Sequence, residues 1–155
     1  MAAPQLTDVI WKPLLIADPP VASLEKVKQW EIEFGYKLPT DFIEIARTHQ
    51  GCYPVLKESS PETVTMLDAV SGLFHFERDP QYRFSLLGNV DYIAEYRPGA
   101  LVFVDWSGDA LAFDYGQNPQ REEPPVIHWQ HESKEVVVVA ENFTGLLEKC
   151  LAGGW

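Results

Sequence analysis

Gly35-Tyr36-Lys37-Leu38-Pro39-Thr40-Asp41-Phe42-Ile43-Glu44-Ile45-Ala46-Arg47-Thr48-His49-Gln50-Gly51 is the stretch that decides the fold. Upstream, Leu24, Val27, Trp30 and Phe34 recur at helical spacing behind Ser23, whose hydroxyl suits an N-cap. Gly35 supplies the left-handed position that closes such a helix. Pro39 cannot lie inside a helix and biases Leu38 towards extended backbone. Thr40 is then the expected cap of a second helix, with Asp41 at its positive end and Phe42, Ile43, Ile45 and Ala46 on its buried side. Gly51 ends it, and Cys52-Tyr53-Pro54 reads as the start of a loop. The pair predicts a helical hairpin pressed on a sheet.

The sheet is read from Leu101-Val102-Phe103-Val104-Asp105-Trp106-Ser107-Gly108-Asp109-Ala110-Leu111-Ala112-Phe113-Asp114-Tyr115. Two apolar runs separated by Ser-Gly predict a hairpin in which Asp105 faces Ala110, Phe103 faces Ala112 and Leu101 faces Asp114. Alternation then gathers Val102, Val104, Leu111, Phe113 and Tyr115 on a core face. Leu101, Phe103, Asp105, Ala110, Ala112 and Asp114 share the other face, expected to be partly open, with Phe103 either covered by a loop or exposed as part of a binding patch. Further strands are expected at Val126–Trp129 and Glu135–Val139. A last helix should run from Phe143 to Leu151, capped by Asn142, with Phe143, Leu146, Leu147 and Cys150 on one stripe. Between the two halves, short strands are read at Val64–Met66 and Gly72–Phe76, a helix at Ser85–Tyr96 and a turn at Arg97-Pro98-Gly99. Residues 1–22, with four prolines, read as an extended arm, and 23–152 as one domain.

The 155 residues suit one domain with a core that needs no disulfide or metal. Cys52 and Cys150 have no zinc-ligand spacing and read as reduced thiols of a cytoplasmic protein. The N-terminus lacks the basic and apolar regions of a secretory signal, and no apolar run reaches the length of a membrane span. Net charge is −11. Residues 101–155 hold nine acids (Asp105, Asp109, Asp114, Glu122, Glu123, Glu132, Glu135, Glu141, Glu148) against Arg121, Lys134 and Lys149. That balance repels phosphates, so direct nucleic-acid or anionic-membrane binding is disfavoured and a basic protein partner is favoured.

Catalytic signatures are missing from the sequence: it has no P-loop, nucleophile elbow, HExxH or dinucleotide fingerprint. His128 and His131, three apart on an expected strand, should point to opposite faces, which argues against a metal site. Asp109 reads as a turn residue. Trp30, Phe34, Phe42 and Phe143 read as core, whereas Trp106, Trp129 and Tyr53 stand at loops or strand ends where an aromatic can anchor an interface. No cofactor is expected.

The order and spacing of these motifs resemble the SUKH superfamily, in particular the Smi/Knr-like cell-wall-regulator homologues. The motifs are Glu31 to Phe34, Gly35, Leu38-Pro39, Phe42–Ile45, Gly51, Val102–Asp105, Ser107-Gly108-Asp109, Phe113-Asp114 and the Phe143 helix. Similar sequences often read Asn-Gly where this chain has His49-Gln50-Gly51-Cys52. The resemblance implies an α+β fold with a single largely antiparallel sheet and helices mainly on one face. It also implies an immunity protein that binds and neutralises a cognate toxin, often a nuclease. The expected partner surface comprises Asp105, Asp109, Asp114, Glu122 and Glu123, with Trp106 and Phe103 as apolar anchors. A regulatory scaffold without a toxin is the alternative reading, and a metal-assisted hydrolase using Asp105, Asp109, Asp114 or His128 is the third.

Overall fold

The computed structural model describes residues 5–13, 20–56, 73, 75–76, 93–106 and 108–152, with backbone alone at 105–106. After a short 3-10 turn at Leu6–Asp8, the elements run β1 (Val9–Pro13), α1 (Leu24–Phe34), α2 (Thr40–His49), β2 (Cys52–Leu56), β3 (Ala100–Trp106), β4 (Asp109–Asp114), β5 (Val126–Trp129), β6 (Val136–Ala140) and α3 (Phe143–Leu151). The strand read at Val64–Met66 lies outside the described residues, as do 72 and 74 of the strand read at Gly72–Phe76 and 85–92 of the helix read at Ser85–Tyr96; residues 93–96 of that reading form a turn rather than a helix.

Local chemistry sets the helix ends. The Ser23 side chain accepts a hydrogen bond from the Lys26 backbone N–H at 3.0 Å, and Gly35 closes α1 at φ 77°. The cap of α2 falls one residue before the expected Thr40. Pro39, extended at φ −61° and ψ 139°, takes that place, since proline has no N–H to lose there. The α1–α2 turn is then tied back by Leu38 N–H donating to the Glu31 carboxylate at 2.7 Å. Asn142 caps α3 as expected, accepting from Gly145 N–H at 2.7 Å.

Cys52-Tyr53-Pro54 is strand rather than loop. β2 pairs antiparallel with β1, Trp11 opposite Pro54 and Pro13 opposite Cys52. A two-stranded ribbon has outward edges on which a proline's missing N–H breaks no ladder bond. Gln50 anchors this region from inside. Its fully buried amide donates to the Pro20 carbonyl and accepts from Phe76 N–H at 3.0 Å. Gln50 thus joins two separate segments to the end of α2. Leu73 exchanges backbone hydrogen bonds with Gly51 and Cys52, each 2.9 Å.

The main sheet is antiparallel in the order β3-β4-β5-β6, so the chain is an α+β protein with a largely antiparallel sheet. Asp105 does face Ala110, but a bulge at Phe103 shifts the remaining pairs: Val102 faces Ala112, Leu101 faces Phe113 and Ala100 faces Asp114. An extra residue on one strand breaks the period-two alternation. Val102 and Val104 therefore lie on opposite faces, not on one. Phe103 instead stacks on Phe113 with ring centroids 4.2 Å apart, and both meet Phe42 and Phe143 edge-on. These four rings join α2 and α3 to the sheet. The face expected to be partly open is closed as well, with Val102, Ala110, Ala112 and Ile127 fully buried. Cys52 and Cys150 are buried and unpaired, and burial pushes the Cys150 thiol up to about 11.

Candidate partner-binding surface

The seven residues expected to form one surface are divided by the fold. Phe103 is 0% exposed and belongs to the core, because the bulge turns its ring into the aromatic cluster. Asp114 is likewise not a surface acid. Its side chain is 10% exposed and accepts from Arg97 Nη2 at 2.7 Å and Nε at 3.3 Å, while Gly116 N–H donates to its other oxygen at 3.2 Å. That carboxylate holds the 97–99 turn against the exit of β4. Asp105 and Trp106 pair through their backbones with Ala110 and Asp109.

Asp109 sits at the opposite end of β4 from Asp114, about 17 Å away at ~3.3 Å per strand residue. One of its oxygens lies 2.8 Å from His128 Nε2; the other lies 2.6 Å from His131 Nδ1 and accepts from the His131 backbone N–H at 3.0 Å. The two imidazoles thus converge on one carboxylate, contrary to the expected opposite faces. β5 ends at Trp129, and His131 stands in the turn beyond it, where strand alternation no longer applies. Burial pushes the Asp109 carboxyl up, but the His131 N–H and the two imidazoles outweigh it and hold it below the usual range. This carboxylate clamps the β3–β4 turn to the β5–β6 turn. Among the described residues no three His, Cys, Asp or Glu side chains assemble as metal ligands. The separation of Asp109 from Asp114 also removes the carboxylate cluster on which a hydrolase reading depended.

Trp129 is buried, stacked on Tyr96 at 5.3 Å between centroids, with Lys134 Nζ 5.0 Å from both ring centroids. It packs the sheet rather than presenting an interface anchor.

Glu122 and Glu123 remain exposed, and they are brought beside acids that the sequence reading assigned only to helix structure. The 116–125 loop is held against the α1–α2 turn by three contacts: Lys37 N–H to Pro119 O at 2.9 Å, Gln120 Nε2 to Gly35 O at 2.9 Å, and Lys37 Nζ to Glu122 Oε1 at 2.9 Å. Tyr115 adds its hydroxyl, donated to Lys37 O at 2.6 Å; burial drives that phenol far above its ordinary value. The hydrogen bond and charge of Lys37 hold the Glu122 carboxyl below its usual range.

An open cleft of about 500 Å³ results, lined by Lys37, Thr40, Asp41, Glu44, Glu122, Glu123, Asn142 and Thr144. Four carboxylates face one ammonium. Asp41 is structural within it, accepting from Phe42 N–H at 2.9 Å and from the Thr144 N–H and hydroxyl at 2.9 and 3.0 Å. It satisfies orphan donors at the starts of α2 and α3 together. Glu44, one helical turn on, is exposed on the same side. Asp41 and Glu44 were missed as surface residues; their i, i+3 spacing was the available signal, but nothing local ties it to residues 122–123.

The class defined so far is a mixed α+β domain whose sheet is covered on both faces and whose acidic cleft opens at its rim. Residues 21–149 match the SMI1 / KNR4 family (SUKH-1), and the chain belongs to that family. No curated protein matches the chain. Membership is compatible with an immunity-protein role and with the generally non-enzymatic, protein-binding or regulatory character of the family. Among the described residues, no helix is long and apolar enough to cross a membrane.

Proposed function

We propose that this protein is a cytoplasmic immunity protein that neutralises a cognate nuclease toxin by stoichiometric binding through its acidic surface. The observation that carries this reading is the cleft at Glu44, Glu122 and Glu123, where carboxylates outnumber cations four to one on a family member of net charge −11. A nuclease needs a cationic groove for phosphates, and a negative protein surface of matching shape competes for that groove. Complementary fields raise the association rate and make it fall with salt. Relative to the sequence-based surface, this one keeps Glu122 and Glu123, gains Asp41 and Glu44, and gives up Phe103 and Asp114. Asp109, at the start of β4, and the Asp105–Trp106 end of β3 lie away from the cleft and would form a separate contact.

The test is capture of the toxic product of an adjacent gene by the purified protein, followed by a growth-rescue assay. A Glu44→Lys/Glu123→Lys variant, which leaves the Lys37–Glu122 pair in place, should slow association at least tenfold at low salt and lose rescue while keeping its thermal midpoint. Full rescue by that variant would reject the cleft. A chain that binds several partners with salt-insensitive affinity and rescues from no toxin would instead be a regulatory scaffold.

A further inference from the structure

Beyond the cleft, the outer edge of the main sheet stands out. β6 is the last strand in the order β3-β4-β5-β6, and its sequence Val136-Val137-Val138-Val139-Ala140 carries no charge. Val137 and Val138 are 42% and 61% exposed. As neighbours on a strand they project to opposite faces, so apolar surface flanks the edge on both sides. Sheet edges are ordinarily protected by charges, prolines or bulges. Here the bulge falls at Val139, between the pairs Ile127–Val138 and Val126–Ala140, which leaves Val136–Val138 regular. Among the described residues no strand pairs with that outer edge.

Charge selects the occupant. Glu132, Glu135 and Glu141 are exposed around the strand, with Lys134 as the nearby cation. A second copy would add another −11, and antiparallel self-pairing about Val138 would set Glu135 against Glu141 twice. An extended segment with lysine or arginine at its ends and apolar residues between them meets opposite charges at both ends. The far end of β6 opens into a cleft of about 470 Å³ beside α3, lined by Glu141, Asn142, Glu148 and Lys149, with room for one long basic side chain.

We propose that the outer edge of β6 receives an extended basic segment of a partner protein as a further strand. Backbone hydrogen bonds supply the attachment, and Val137, Val138 and the acids select the side chains. The inference rests on the reading of a basic protein partner given above.

The probe is a labelled heptapeptide with a valine-threonine-valine centre between two lysines at each end, titrated into the whole chain and followed by anisotropy. Saturable binding is expected, weakened by salt, and reduced at least tenfold both by Val138→Lys and by proline at the peptide's centre. Val138→Thr, which a strand accepts readily, should reduce it about threefold if the lysine variant fails to fold. Equal binding by the parent and these variants, or none at millimolar peptide, would overturn the proposal. So would a protein that is dimeric alone and becomes monomeric with Val138→Lys, since a second copy would then hold the edge. Toxin neutralisation untouched by Val138→Lys would sink the edge and leave the immunity reading standing. Normal peptide binding by a chain that neutralises no toxin would do the reverse.

Discussion

Phe103→Ala separates a core aromatic from an interface anchor, because the two roles predict opposite outcomes. Phe103 is fully buried, stacked on Phe113 at 4.2 Å and set edge-on to Phe42 and Phe143 at 5.5 and 5.8 Å. Truncation removes the transfer free energy of the ring, leaves a cavity among rings fixed by two helices, and abolishes three aromatic contacts. Buried Phe→Ala changes of this kind cost about 3–5 kcal/mol. The upper half of that range applies, since the neighbours belong to α2, α3 and β4 and cannot all collapse inward. For a chain of this size about 2–4 °C of midpoint accompanies each kcal/mol, so the thermal transition should fall by roughly 8–20 °C. Urea unfolding followed by far-UV circular dichroism measures it, with Phe103→Leu as a milder control losing about 1–1.5 kcal/mol. A loss below about 1 kcal/mol, together with weakened partner capture, would refute the buried placement and restore Phe103 to the surface.

Other expectations follow from the clamps and turns. Asp109, held below its ordinary range, adds stability that is fully present above the unfolded value near pH 3.9 and is lost as pH falls through the lower folded value. The stability gap between the parent and Asp109→Asn, measured by urea unfolding, should therefore narrow from pH 7 to pH 3; a gap that widens would reverse the assignment. Arg97→Ala leaves the nearly buried Asp114 carboxylate without its guanidinium and should cost about 1–3 kcal/mol, read as a lower urea midpoint. Gly35 and Gly51 both have positive φ, 77° and 71°, but a Cβ at Gly35 meets nothing within 4 Å, whereas one at Gly51 would lie 2.1 Å from His75 Cε1. Gly35→Ala should cost roughly 1–2 kcal/mol for the left-handed backbone alone, and Gly51→Ala distinctly more. Equal losses would show that His75 yields freely.

The elements governed by short-range chemistry were legible before any coordinates. Ser23, Gly35 and Asn142 act through hydrogen bonds or dihedrals within four residues of themselves, so their roles can be read locally. The stripe of α3 is local in the same sense. Phe103 was misplaced because a bulge depends on what both strands must pack against, and nothing in Leu101–Asp105 announces it. The strand at Cys52–Leu56 was hidden by Pro54, since only the partner β1 makes a proline acceptable there. The surface failed for a related reason. Counting acids along residues 101–155 gives the sign of the field but not its location, which depends on whether Arg97, His128 or Lys37 comes within reach of a given carboxylate. Glu122 and Glu123 are exposed as expected; Asp41 and Glu44 join them because the 116–125 loop is held against the α1–α2 turn, a contact across some eighty residues of chain.

A sheet sealed above and below has a geometric corollary for how such a chain diversifies. With Val102, Ala110, Ala112, Phe113 and Ile127 all withdrawn from solvent, the surface that the described residues leave for a proposed partner lies at the perimeter: helix starts, connecting segments and the margin of β6. Those positions bear little of the packing, so substitutions there can accumulate without unfolding the molecule. One interior can then serve a succession of unrelated targets, each new specificity written around the circumference.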